Sequence, residues 1–154
     1  MSTYPNIYTG GVNSGYQDGD VVSETHSLTA PITADFTVTK NRTTETQVIK
    51  CAIRCIAGYQ TYGNTTLTLC EYNNGTYTPV TSSNWQICLD NNYVDAKTAL
   101  ANGSWSNTGI SIADIVKDVN TIFWLKVTAT ISETTNTNTS TAIFHYEESI
   151  DAVG

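Results

Sequence analysis

The chain has 154 residues and a formal charge of −7, set by 7 Lys and Arg against 14 Asp and Glu. That length suits one domain with a single continuous core and needs no metal or disulfide to make up for lack of bulk. The negative balance, with no run of basic residues, removes the counterion release that drives binding to nucleic-acid phosphates, so DNA and RNA are excluded as partners.

Charged residues make up 14% of the chain, well under the roughly 25% of an average soluble domain. Thr, Asn and Ser fill the polar positions between short apolar runs instead. No apolar stretch approaches the ~18 residues of a membrane span; residues 121–131 come nearest, and Lys126 interrupts them. The amino terminus has no basic region, apolar core or cleavage site, so neither a leader nor an anchor is expected, and synthesis and folding in a cytosol are. The Asn-x-Ser/Thr triplets at Asn41, Asn64, Asn74, Asn102 and Asn138 then follow from composition and are not expected to carry glycans.

Residues 1–18 place Tyr4, Ile7, Tyr8 and Tyr16 among Gly10, Gly11, Asn13 and Gly15, with no period of 2 or near 3.6. The segment reads as an extended N-terminal arm lying along a surface, its own domain's or a neighbour's, with those four large side chains as contacts. Residues 19–154 read as the domain itself. From Ile32 the alternation is plain: Ile32, Ala34, Phe36 and Val38 share one face, with Thr33, Asp35, Thr37 and Thr39 on the other. Residues 47–57 repeat it, with Ile49, Cys51, Ile53 and Cys55 inward and Lys50 and Arg54 outward. Strands follow at 65–72, 76–81 and 85–89, and Asn73-Asn74-Gly75 marks a hairpin between the first two.

Within 111–116, Ile112, Ile115 and Val116 recur at helical spacing and Ser111 with Asp114 resembles a capping pair, which predicts one or two helical turns. The strongest strand comes next: Phe123, Leu125, Val127, Ala129 and Ile131 face inward and Trp124, Lys126, Thr128 and Thr130 outward. A polar loop over 132–140 leads to its expected hairpin partner at 141–147. Seven or eight short strands and one brief helix predict an all-β fold, a two-sheet antiparallel β-sandwich of jelly-roll or Ig-like type, with a closed barrel as the alternative.

Catalytic and metal chemistry find little support. Cys51 and Cys55 on one strand stand roughly 13 Å apart at about 3.3 Å per residue, too far to share a zinc ion or a disulfide, and read as small core hydrophobes. Cys70 and Cys88 alternate opposite Leu67, Leu69, Ile87 and Leu89, and a cytosolic origin argues against a bridge between them. His26 and His145 have no nucleophile elbow to serve. Glu71, Asp90, Asp95, Glu147 and Glu148 carry no spacing that marks an acid–base pair. Asp18-Gly19-Asp20 and the Asp90 to Asp95 stretch read as turns rather than calcium loops. No enzyme, cofactor or metal is expected.

Aromatic residues are the remaining lead. Trp85 shares a face with Ile87 and Leu89 and belongs to the core. Trp124, projecting from a face otherwise made of Thr, suggests contact with another chain, while Tyr59, Tyr62, Tyr77 and Trp105 are candidates for stacking on sugars.

Ile7-Tyr8-Thr9-Gly10-Gly11 leading to Gly15-Tyr16-Gln17-Asp18-Gly19-Asp20 resembles the opening of small β-sandwich virion proteins of tailed bacteriophages. Ile56-Ala57-Gly58-Tyr59 before Gly63-Asn64-Thr65-Thr66-Leu67 is similar to them too, as is Ile110-Ser111-Ile112-Ala113-Asp114 before Thr121-Ile122-Phe123. The likeness covers most of the chain in style and implies a structural protein without catalytic residues, above all a capsid decoration protein. It would bind the major capsid protein, other virion proteins or its own copies as a homo-oligomer, in a virion assembled in the host cytoplasm. The alternative it implies is a carbohydrate- or receptor-binding sandwich module of a tail or baseplate.

Overall fold

In a computed structural model of the chain, residues 5–24, 32–38, 44–73, 76–79, 85–130, 136–147 and 150–152 are described, with side chains over 5–21, 46–69 and 85–128. The described elements run β1 (Asn6–Thr9), β2 (Asp20–Glu24), β3 (Ile32–Val38), β4 (Thr44–Arg54), β5 (Tyr59–Thr61), β6 (Thr65–Asn73), β7 (Thr76–Pro79) and β8 (Trp85–Leu89). A helix α1 (Ala96–Asn102) follows, and then β9 (Gly109–Ile112), β10 (Thr121–Thr130), β11 (Asn136–Glu147) and β12 (Ile150–Ala152). The fold is therefore all-β with one short helix.

Two antiparallel sheets of five strands carry the structure, and neither closes on itself; the first is ordered β2-β1-β4-β10-β8. In the second, β3, β11 and β6 lie side by side, and the far edge of β6 is shared by β9, against residues 65–68, and β7, against residues 70–73. A small pair, β5 with β12, stands apart. The longest ladder joins β10 to β4 from Thr121↔Ile53 to Thr130↔Thr44. At its centre the period of 2 of both strands sets apolar residues opposite one another, Phe123 against Cys51 and Leu125 against Ile49.

One face of the first sheet supplies Ile7, Cys51, Ile53, Phe123, Leu125, Val127, Trp85 and Ile87 to a buried cluster that also takes Leu67 and Leu69 from β6 and Ile112 from β9. Both sheets thus share one core, and Cys51, Cys55 and Trp85 lie in it as the sequence predicts. The opposite face of the first sheet is buried as well. Val12, Ala52, Cys88, Ala99, Ile122 and Trp124 form a second cluster there, flanked by Tyr8, Tyr93 and Trp105.

That second cluster corrects the reading of Trp124 as a contact for another chain: the residue is 2% exposed. Its cover is α1 and the turn that leads into it. Tyr93 meets the indole edge-on, with ring centroids 6.5 Å apart, and Lys50 lies 5.8 Å from its centre. Ala, Lys and Leu favour the helix intrinsically. Asp95 caps it, its Oδ1 accepting from the Thr98 backbone N–H at 2.8 Å, and the Gly103 N–H closes it onto the Ala99 carbonyl. Gly103 cannot be larger, because a Cβ there would stand 2.9 Å from both the Cys88 sulfur and the Trp105 indole nitrogen.

The helix expected at 111–116 is absent. Ile112 ends β9, and Val116 is fastened in an extended course, donating its N–H to Thr61 Oγ1 at 2.9 Å and accepting at its carbonyl from the Thr61 N–H. The helical spacing arose because Ile112 and Val116 both reach the core from a strand end and a docked loop, while Ile115 faces outward. The strand 141–147 is no hairpin partner of β10 either. β11 begins at Asn136, within the expected polar loop, and pairs with β3 and β6, so the chain crosses from one sheet to the other. β6 and β7 pair antiparallel as far as Asn73↔Thr76; Asn74 and Gly75 lie outside the described residues.

Residues 5–18 do not form an arm. β1 is hydrogen-bonded on both sides, to β2 and to β4, and Ile7 is fully buried opposite Ile53. The boundary expected after residue 18 falls inside one sheet. Tyr4 lies outside the described residues.

Candidate functional site

Residues 10–20 fold back over the outer face of the first sheet and are held by a polar knot. Asp18 accepts from the Asn13 N–H at 2.9 Å and the Asn13 side-chain amide at 2.8 Å, one contact on each oxygen, and from the Asn120 amide at 2.7 Å. Arg54 donates to the Asp18 carbonyl at 2.7 Å and to Asn120 Oδ1 at 2.6 Å while its guanidinium stacks 3.5 Å from the centre of the Tyr8 ring. The Asn120 backbone bonds Gly15 and Tyr16 in turn. These hydrogen bonds, the Asn13 amide first, hold the Asp18 carboxyl below its ordinary range. Gly19 lets the chain return: its φ is +93°, and a Cβ there would meet Val12 Cγ1 at 2.4 Å.

The knot fixes what it carries. Tyr16 is 66% exposed and anchored through its carbonyl to Asn120. The same connection, residues 113–120, holds Ile115 outward and bonds through Val116 to Thr61, the neighbour of Tyr62, which is 69% exposed. It also accepts from the Cys55 N–H through the Lys117 carbonyl. Ile115 is thus carried by the connection itself, and Tyr16 and Tyr62 by two segments hydrogen-bonded to it.

A second feature lies at the other side of the Trp124 layer. Asp90 Oδ1 accepts from Trp124 Nε1 at 2.8 Å and from the Tyr93 N–H at 3.3 Å. Beside it opens a cleft of about 470 Å³ lined by Leu89, Asp90, Asn91 and Tyr93 on one wall and by Ser104, Ser106, Gly109 and Ile110 on the other. Ser106 is committed: its Oγ accepts from the N–H groups of Thr108 and Gly109. Asp90 and Asp95 act as turn and cap, which agrees with the reading of this stretch as turns. The left-handed φ of 56° at Asn92 fits the same reading.

The remaining predicted residues scatter. Tyr59 is half-buried against the core, and Trp105 has Lys126 over its ring at 4.8 Å. The side chain of Tyr77 lies outside the described ones, as do those of Cys70 and His145, and His26 is wholly outside them. Of the described sugar-stacking candidates Tyr62 is the exposed one, at 69%. Among the interface candidates Tyr16 stays exposed, Tyr8 is half-buried under Arg54, and Ile7 and Trp124 are core.

Among the described residues no group of three or more His, Cys, Asp or Glu is placed to hold a metal ion, and no helix is long and apolar enough to cross a membrane. Burial, with the Asp90 charge nearby, pushes the Cys88 thiol up to about 11, and burial raises Cys51 further, so neither is a thiolate near neutral pH. Sequence reasoning missed Asn120, Arg54 and Asn91 as determinants. The available signal was the Asp/Asn-rich turn before an Ala-Lys-Thr-Ala-Leu-Ala run, which is a helix start.

No protein-family model, no characterised protein and no solved structure matches the chain.

Proposed function

We propose that the chain is a non-enzymatic structural protein of a virion, a β-sandwich capsid decoration protein that binds the capsid lattice or its own copies. The segments that resemble tailed-phage virion proteins supply the class. The observation that carries the reading is the set Tyr16, Tyr62 and Ile115, exposed by 66, 69 and 42% yet carried by the 113–120 connection or by segments hydrogen-bonded to it. Tyr is enriched where protein contacts concentrate their energy, and a braced backbone spares the ordering cost of a flexible one. Burial of these side chains against a partner contributes roughly 25 cal/mol per Å², less the cost of association.

The partners on this reading are the major capsid protein, other virion proteins or further copies of the chain, met in a virion assembled in the host cytoplasm. A test has to leave β1 in place, since it is an inner strand of the sheet. Tyr16→Ser combined with Tyr62→Ser leaves the core untouched and should lower occupancy on particles by about tenfold or more, as loss of two central aromatic contacts does. Particles reconstituted with the double variant at full occupancy would remove this end of the molecule from the account.

A further inference from the structure

We propose that the cleft between Asp90 and Ser104 is a binding site for a neutral saccharide ring. The cleft's volume, about 470 Å³, is within the roughly 300–1,000 Å³ of small-molecule sites. Its lining offers two kinds of group. Leu89 and Ile110 are apolar, which suits the C–H face of a pyranose. Beside them Asp90 Oδ2, Asn91 and Ser104 offer polar atoms that bond to nothing among the described residues.

Asp90 is the centre of the site. Its Oδ1 is taken by Trp124 and the Tyr93 N–H, which fixes the plane of the carboxylate, and Oδ2 has no partner among the described residues. Asn91 and Ser104 likewise carry no hydrogen bond from the described protein. A fixed acceptor, an amide that both donates and accepts, and a hydroxyl together match vicinal hydroxyls, which need both donors and acceptors. The carboxylate disfavours phosphate and other anions, as does a chain charge of −7. A simple cation suits the site less well, because Asp90 is the one carboxylate among the described lining residues and already receives two N–H groups.

The Trp124–Asp90 bond is what makes the site directional. Trp124 is locked in the sheet opposite Lys50 and Cys88, so the carboxylate is aimed by a buried ring rather than by a mobile loop. Binding should be weak, in the millimolar range, since the cleft is open and offers few polar contacts.

The experiment is titration of the intact protein with neutral mono- and disaccharides of glucose, galactose, mannose and N-acetylglucosamine, read by amide chemical shifts, with methylammonium as a cationic control. Shifts confined to Asn91, Tyr93, Ser104 and Gly109 are expected. Asp90→Asn keeps an acceptor for Trp124 and removes the second carboxylate oxygen, and should weaken binding by about tenfold, the scale of a lost charge-assisted hydrogen bond. Ser104→Ala should weaken it by about threefold, and an unchanged thermal midpoint in that variant separates binding from folding. Three results each overturn the inference: no saccharide shifts these amides, methylammonium alone does, or saccharide binding is indifferent to both substitutions. Particle occupancy, which tests the virion reading, is independent of all three.

Discussion

The two faces of the first sheet are both buried, and they are buried by different physics. On the inner face Phe123, Leu125, Val127, Ile53 and Ile7 meet the other sheet through contacts that need only shape and area. On the outer face three aromatic rings each carry a cation: Arg54 over Tyr8, Lys50 over Trp124 and Lys126 over Trp105. Three of the 7 basic residues of the chain are used this way. Directional bonds from Trp124 to Asp90 and from Arg54 to Asn120 complete that layer. The inner face sets how stable the sheet is, whereas the outer face sets where particular polar groups point. The cleft and the Tyr16 side of the braced end are held from the outer layer, whereas the Tyr62 side is tied through Thr61 to Val116 of the inner core.

Removing bulk from the inner face should therefore cost most. Phe123→Ala empties a fully buried position and is expected to destabilise the protein by about 3–5 kcal/mol. The urea midpoint should fall with little change in slope. Trp124→Phe sharpens the contrast, because it keeps most of the packing and deletes the N–H that Asp90 receives. About 1–2 kcal/mol is expected for a charge-assisted bond to a half-exposed carboxylate. Saccharide shifts at Asn91 should suffer more than stability does. A Trp124→Phe variant as unstable as Phe123→Ala would mean that the outer layer is core in the same sense as the inner one.

What the sequence discloses follows the same division. Ile49, Cys51 and Ile53 against Phe123, Leu125 and Val127 are legible because a period of 2 records which residues meet an apolar wall. The outer layer is illegible to that test. Trp124, Lys126 and Thr128 alternate just as a solvated face would, and nothing local says that residues 10–20 and α1 will cover part of it. β1 was hidden for a related reason: its four residues are too short to display a period, and its place in the sheet comes from pairing with residues almost fifty positions away. The cleft depends on Asp90 and Ser104 being brought together by the Ile87↔Ser106 bridge, a contact that no spacing announces.

The smallest expected effect concerns pH and isolates the outer layer from the inner one. Asp18 is ionised in the knot and its pKa lies below the ordinary 3.8, chiefly through the Asn13 side chain and N–H. A carboxyl depressed in the folded state contributes stability that is fully present above the unfolded pKa and is lost as pH falls through the folded value. The charge is exposed, so the contribution is small, and it should be sought locally. Amide exchange at Asn13 and Gly15 should quicken, relative to the intrinsic rate, as pH drops below about 4, while the amides of β10 opposite β4 hold their protection over the same interval. Asp18→Asn keeps one acceptor and cannot ionise, so the exchange of Asn13 and Gly15 should already be faster near neutral pH and flat below it. Asp95, depressed by its own bonds from Thr98, titrates in both proteins and cancels in the comparison. If the variant and the parent respond to acid alike at Asn13, the loop over the outer face is held by its neutral hydrogen bonds and by Arg54, and the charge on Asp18 is incidental to it.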